Sequence, residues 1–204
     1  MTGVVLAGGR SERMGVAKVL LRLDGETFLE RAASLLRPFC RQIILAASSE
    51  PPLPDLDGCT TVTDEHPGLG PLAGLVAGLA ASDDEWHLAL ACDLPLVRPE
   101  ILRLVTESAH DVDAVVPRTG GRLQPLLAVY SQACLEPGRD ALRSGRRAVA
   151  AMLDQVKVRV LEEEALRGAD PDLISFYNVN TWEEYHALRR QYSGQLGMTT
   201  ESGR

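Results

Sequence analysis

Apolar residues along this chain fall into short blocks separated by amphipathic stretches, and the two patterns alternate for most of its length. Gly3 to Ala7 is a run of strand length, and Gln42 to Ala47 and Cys59 to Thr63 read as a second and third strand. His87 to Ala91 is a buried strand that ends in Cys92-Asp93-Leu94-Pro95. Ala114 to Pro117, Gln124 to Tyr130 and Val156 to Leu161 complete the strand-like blocks. Helices announce themselves at their starts. Thr27-Phe28-Leu29-Glu30 is a capping box, in which the Thr hydroxyl and the Glu carboxylate satisfy each other's backbone N–H groups. It predicts a helix to about Arg37, which Pro38 helps to stop. Pro71 suits the first position of a helix with Leu72, Leu75, Val76 and Leu79 on its inner face. Pro99 opens another, and Thr181-Trp182-Glu183-Glu184 is a second capping box that opens a final helix to about Gln191. Ser48 to Gly58, with three prolines and two aspartates, is loop.

The alternation predicts an α/β fold with a mostly parallel sheet covered by helices. No internal repeat or long linker interrupts it, so residues 1–192 read as a single domain. Residues 193–204 are polar and rich in Gly, Ser and Thr, the composition of a disordered tail.

Composition refines this picture in a few places. Aromatic residues are only 4%, so a core must come from Leu, Val, Ile and Ala. No apolar block is long enough to span a bilayer, and no basic region precedes the first strand, which predicts a cytoplasmic chain without membrane contact. Cys40, Cys59, Cys92 and Cys134 are scattered without metal spacing and read as reduced thiols. The four histidines, His66, His87, His110 and His186, show no ligand spacing and read as structural. A net charge of −7 argues against a nucleic-acid surface but leaves a small polyanion open. Arg10, Arg13 and Lys18 form one local cationic cluster, and Arg139, Arg143, Arg146 and Arg147 form another.

The first candidate site is the loop after strand one, Leu6-Ala7-Gly8-Gly9-Arg10-Ser11-Glu12-Arg13-Met14-Gly15-Val16-Ala17-Lys18. Its glycines let the backbone approach a ligand, successive N–H groups form a concavity for phosphate oxygens, and Arg13 and Lys18 add full charge. It is neither a Walker A motif nor a dinucleotide GxGxxG. A glycine-rich turn with solvated charges is the competing reading. Asp93, past the carboxyl end of a buried strand, faces the same crevice and suits Mg²⁺, which takes one or two carboxylates and fills its other positions with water and phosphate oxygens. A turn-capping Asp is the alternative. Gly70-Pro71-Leu72-Ala73-Gly74 brings a helix N-terminus toward an anion or a carbonyl-rich base, or is simply an efficient helix start. Asp64, at the end of the third strand, is either a nucleotide or metal contact or a loop carboxylate. Gly145-Arg146-Arg147 fits a second, phosphorylated substrate, although an exposed charge run is the simpler reading.

Taken together, LAGG, the RMG at Arg13-Met14-Gly15, Lys18, GPLAG, ACDLP and the late Phe176-Tyr177-Asn178-Val179-Asn180-Thr181 resemble the molybdenum cofactor guanylyltransferase (MobA) family. The resemblance runs from Gly3 to about Arg189. It implies a Rossmann-like, three-layer nucleotidyltransferase fold and transfer of GMP from GTP, with Mg²⁺, to the terminal phosphate of molybdopterin, releasing pyrophosphate. By position it implies that Leu6, Ala7 and Gly8 contact the nucleotide, with Lys18 on its phosphates; the glycine loop and the helix start add Gly9, Gly70 and Pro71 as candidate nucleotide-binding residues. It further implies that Asp64 helps to bind GTP, that Asp93 binds metal and nucleotide, and that Gln124, Asn178 and Asn180 face the pterin. The catalytic group would be Lys18, Arg13 and Asp93. The family commonly has an Asn after the second strand. Here Ser48 stands in that region and would act through its hydroxyl, which bears on base selectivity. Partners implied are the two substrates and transient contacts with cofactor-biosynthesis or acceptor proteins. A cytidylyltransferase on the same pterin, another NTP:phosphate nucleotidyltransferase, and a non-catalytic nucleotide-binding module are the alternatives.

Overall fold

The computed structural model describes residues 1–8, 18–47, 52–63 and 70–192. The expectations for residues 48–51 and for the 193–204 tail lie outside the described residues. In chain order the strands and helices begin with β1 (Thr2–Leu6), a two-stranded hairpin of β2 (Arg22–Leu23) and β3 (Glu26–Thr27), and α1 (Phe28–Leu36). Then come β4 (Gln42–Ala47), β5 (Cys59–Thr63), α2 (Pro71–Ala80), β6 (Trp86–Ala91) and α3 (Pro99–Glu107). β7 (Ala114–Thr119), β8 (Arg122–Leu123) and β9 (Leu127–Ser131) follow. The last are α4 (Leu135–Arg143), α5 (Ala150–Leu153), β10 (Val158–Leu161), α6 (Glu163–Ala169) and α7 (Trp182–Tyr192).

The main sheet runs β10-β7-β9-β6-β1-β4-β5, with β8 paired to β7. β1 lies parallel between β4 and β6, β4 is parallel to β5, and β7 is parallel to β10. β9 alone is antiparallel to its neighbours in that order, β6 and β7. The parallel strands are apolar throughout because both faces are covered. On β1 the alternation is direct. A Cβ on Gly3 would sit 3.1 Å from Leu36 of α1, whereas the next side chain, Val4, packs on Gly78 of α2. The helices therefore cover opposite faces of the same strand, as the predicted layering requires. Val4, Val5, Leu88, Leu90, Val115 and Val129 are fully buried in this core, where a Leu→Ala truncation costs about 2–5 kcal/mol.

Both capping boxes form. Glu30 N–H donates to Thr27 Oγ1 at 3.1 Å while Glu30 Oε2 accepts from Thr27 N–H at 2.6 Å. Glu184 and Thr181 repeat the pattern at 3.2 and 2.9 Å. A second apolar cluster, Leu21, Leu23, Phe28, Leu96, Val179, Tyr185 and Leu188, packs α7 onto the β2–β3 hairpin. Tyr185 fastens it by donating to the Arg22 carbonyl at 2.8 Å. No helix among the described residues is long and apolar enough to cross a membrane.

Because β1, β4, β5, β6 and β7 point the same way, their carboxyl ends share one edge of the sheet. β9 runs against them, so its entry, Gln124-Pro125-Leu126, reaches that same edge from the other direction. In open α/β sheets this edge, where the strand order reverses, is where ligands bind.

Candidate active site

The edge is tightly built at its centre. Ala7 N–H donates to Ala46 O at 2.9 Å and Cys92 N–H to Leu6 O at 3.3 Å, so the exit of β1 is gripped by the ends of β4 and β6. This fixes Leu6 and Ala7 at the ends of β4 and β6, with Leu6 bonded to Cys92, the residue before Asp93. Gly9, Arg13, Ser48 and Asp64, four of the sequence-predicted site residues, lie outside the described residues, as does His66.

Asp93 sits in the turn after β6 and is held mostly out of solvent. Burial pushes its carboxyl above the usual carboxylate range. The Lys18 ammonium pulls in the opposite direction, and the Asn178 side chain adds a weaker pull of the same sign. Lys18 Nζ lies 3.8 Å from Asp93 Oδ2 and donates to Asn180 Oδ1 at 2.7 Å. Among the described residues, Asp93 Oδ1 and Asn178 Oδ1 are both buried and accept no hydrogen bond. A buried carboxylate oxygen left this way is costly unless something else satisfies it. The described residues contain no cluster of three or more His, Cys, Asp and Glu side chains suited to a metal. The donors the described residues supply here are oxygens, one carboxylate and one amide. They fit a hard cation such as Mg²⁺, which needs one or two carboxylates and brings water and phosphate oxygens for the rest.

A cleft of about 530 Å³ opens from Asp93. Pro71 and Asp93 line one end, Arg122, Gln124 and Asn178 contribute polar groups, and Val149 and Leu153 form an apolar wall. Gln124 is fixed by two bonds. Its N–H donates to Pro117 O at 2.8 Å and its side-chain amide to Thr119 Oγ1 at 2.7 Å. Gly70 takes φ +81°, a conformation that suits glycine, and turns the chain into α2 with Pro71 at the first position. A side chain at Gly70 would meet the Arg147 backbone at 3.5 Å, so the Gly145–Arg147 loop lies against the start of α2.

The structure divides the second basic cluster. Arg139 pairs with Glu136 and Arg143 with Asp140 along α4, whereas Arg146 and Arg147 lie in the loop before α5. Arg122 was not singled out in the sequence. It follows a Gly120–Gly121 turn whose other flank, Arg118, is neutralised by Glu162 at 2.7 Å. Among the described residues Arg122 has no such partner, and it lines the cleft. The three described histidines have different surroundings. His87 is fully buried, where desolvation lowers its basicity. His110 meets Arg159, and His186 stacks on Trp182. All four cysteines are free, and burial pushes the Cys40 and Cys134 thiols up to about 12.

Comparison with known proteins gives a consistent result. The family model described as the MobA-like NTP transferase domain matches residues 3–160. The chain is 36% identical over 187 residues to a molybdenum cofactor guanylyltransferase of Desulfosudis oleivorans, covering 90% of this chain and 92% of that protein. It is 38% identical to a probable molybdenum cofactor guanylyltransferase of Pelotomaculum thermopropionicum, over 88% and 87% of the two chains. Among solved structures it is similar to molybdopterin-guanine dinucleotide biosynthesis protein A of Archaeoglobus fulgidus, with a TM-score of 0.80 and 27% identity. That match covers 95% of this chain and all of the other.

Proposed function

The chain belongs to the family of MobA-like NTP transferase domains, and we propose that it transfers GMP from GTP to the terminal phosphate of molybdopterin, releasing pyrophosphate. One observation carries the reading. A largely buried carboxylate, Asp93, one of whose oxygens accepts no hydrogen bond among the described residues, stands beside an ammonium, Lys18, at the mouth of a cleft large enough for a second substrate.

On this reading GTP lies along the exit of β1, with its phosphates on the backbone of Leu6, Ala7, Gly8 and Gly9. Its base and ribose are served by Ser48, Asp64, Gly70 and Pro71. The acceptor occupies the cleft, with Gln124, Asn178 and Arg122 on its polar side. An acceptor phosphate oxygen is already an anion at neutral pH, so attack on the α-phosphorus needs no general base. It displaces pyrophosphate in line. The difficulty is bringing two polyanions together, and positioning with charge neutralisation answers it. Lys18 and Arg13 supply fixed positive charge on the reacting phosphates. Bound at Asp93, Mg²⁺ would supply Lewis-acid stabilisation of the developing charge. Asn178 stands beside the Asp93 carboxylate and favours its charged form. The apolar wall of Val149 and Leu153 keeps water from the acceptor side. We take residues 1–192 as one domain acting in the cytoplasm and handing its product to acceptor proteins through transient contacts.

The test is pyrophosphate release with each of the four NTPs, Mg²⁺ and molybdopterin. Release with GTP well above the others supports guanylyl transfer. Preference for CTP would move the assignment to cytidylyl transfer, and no release with any NTP would contradict the enzymatic reading.

A further inference from the structure

We propose that Asn178–Glu184 is a positioning strap that holds Lys18 off the Asp93 carboxylate, with Asn180 in contact with Lys18 and Glu184 fixing Asn180 from behind. The inference rests on the functional reading above, and it moves Asn180 from the acceptor side to the phosphate side of the site.

An ammonium and a largely desolvated carboxylate in one crevice attract strongly, because the surroundings screen them poorly. Left alone, the flexible Lys18 side chain would close onto Asp93, neutralise it and fill the oxygen that a cation needs. Lys18 does not do so. Among the described residues its short contact, 2.7 Å, is with the neutral Asn180 oxygen, and Asp93 Oδ2 stays at 3.8 Å. A neutral acceptor holds the ammonium without cancelling its charge.

Asn180 is itself held. Its N–H donates to Glu184 Oε2 at 2.6 Å, and the same oxygen takes the Thr181 N–H at 2.9 Å. A capping box needs only the second of these bonds. The first ties the start of α7 to the site. Val179, between the two asparagines, is fully buried in the cluster with Phe28 and Tyr185, and its N–H donates to Asp93 O at 3.0 Å. Within three residues the strap grips the Asp93 backbone, stands beside the Asp93 carboxylate through Asn178, and bonds the Lys18 ammonium through Asn180. One segment thus bonds both charged residues and contributes to the spacing between them. Among the described residues Glu184 does not line the cleft, and its link to the site runs through Asn180.

Mn²⁺ is the probe, because its free form is read directly by electron paramagnetic resonance and needs no acceptor or turnover. With GTP present, Asn180→Ala should weaken Mn²⁺ binding roughly ten- to hundredfold, the range for residues that orient a metal's ligands. The acceptor KM should stay unchanged. Glu184→Ala should weaken binding less, and Glu184→Gln, which keeps a side-chain oxygen for the strap, should restore most of it. In a Lys18→Met background, Asn180→Ala should have no further effect, because its partner is gone. If Asn180→Ala does not fold, Asn180→Ser, too short to reach Lys18, takes its place. Normal Mn²⁺ binding by the variant, additive losses in the double variant, or an effect confined to the acceptor KM would each overturn the strap while leaving guanylyl transfer intact. A wild-type chain that binds no Mn²⁺ with any NTP present would instead contradict the functional reading, and the strap with it.

Discussion

Lys18 and Asn180 are 162 positions apart in sequence and meet through a 2.7 Å hydrogen bond at the carboxyl edge of the sheet. The contact joins the end of the first loop to the entry of the last helix. It exists because β1 and β6 are adjacent and α7 folds back over the β2–β3 hairpin. The site is therefore a product of the whole topology.

Asp93 is expected to trade stability for function. Its charged form is buried and only partly compensated, so the fold raises its pKa, and ionisation at neutral pH works against folding. Asp93→Asn should lower kcat by roughly two to three orders of magnitude, the size seen when one transition-state stabiliser is removed. Its melting temperature should match or exceed that of the wild type. Steady-state kinetics and calorimetry on the same preparation check both halves, and a variant that loses stability and activity together would count against the assignment.

Lys18→Met should cost roughly ten- to hundredfold in kcat/KM for GTP, equivalent to the about 1.5–3 kcal/mol of a hydrogen bond to a charged group. Lys18→Arg should not restore it. The planar guanidinium presents a fork where the site, between Asn180 Oδ1 and Asp93 Oδ2, is shaped for a point charge. Full rescue by Arg would show that charge alone matters there.

Much of this architecture was readable in advance. β4 and β5 begin and end where the apolar blocks do, and Thr27, Pro71, Pro99 and Thr181 all start helices. The β2–β3 hairpin was missed although Asp24-Gly25 carries its signal. Both residues take positive φ, 52° and 89°, as a tight hairpin turn requires. Helix α4 was missed for a different reason. Pro137 and Gly138 weaken its local signal, but a side chain at Gly138 would strike Val76 of α2 at 2.6 Å, so packing demanded the poor helix former. Strand reversal is also invisible to periodicity, which is why β9 was read as a strand without direction. Arg122 carried no motif. Its relevance comes only from lying on the cleft with its neighbour Arg118 already paired. Of the second basic cluster, the i,i+3 spacing of Glu136–Arg139 and Asp140–Arg143 could have shown which charges were spent within one helix.

At the opposite edge, Asp84 organises a polar network. Thr2 donates to it at 2.6 Å, Arg41 pairs with it, and Gln42 bonds both Thr2 and Ser82. The Thr2 bond chiefly, then Arg41, holds the carboxyl below its ordinary value of 3.8. A depressed folded pKa gives stability that is present above the unfolded value and lost as pH falls through the folded one. Asp84→Asn should cost about 1–3 kcal/mol at pH 7, or about 2–4 °C in melting temperature per kcal/mol. The gap from wild type should shrink below about pH 4, as both chains come to carry a neutral group there. A constant gap from pH 7 to pH 3 would argue against the charged network.

Two helical glycines should respond oppositely to alanine. At Gly78 a Cβ would overlap Val4 of the central strand, so Gly78→Ala should destabilise by about 1–3 kcal/mol despite its better helix propensity. At Gly168, on α6, nothing lies within 4 Å, and Gly168→Ala should stabilise by up to about 1 kcal/mol. Urea denaturation of both variants checks the packing of α2 on β1.

The central claim is tested most directly by following the label from GTP. Incubating the chain with molybdopterin, Mg²⁺ and GTP labelled at either the α- or the γ-phosphate, then separating the products, shows which phosphorus reaches the acceptor. We expect the α-label to appear in a molybdopterin dinucleotide and the γ-label only in pyrophosphate, with both signals lost in Asp93→Asn. Label reaching the acceptor from the γ-position, or a product formed equally well by Asp93→Asn, would contradict nucleotidyl transfer at this site.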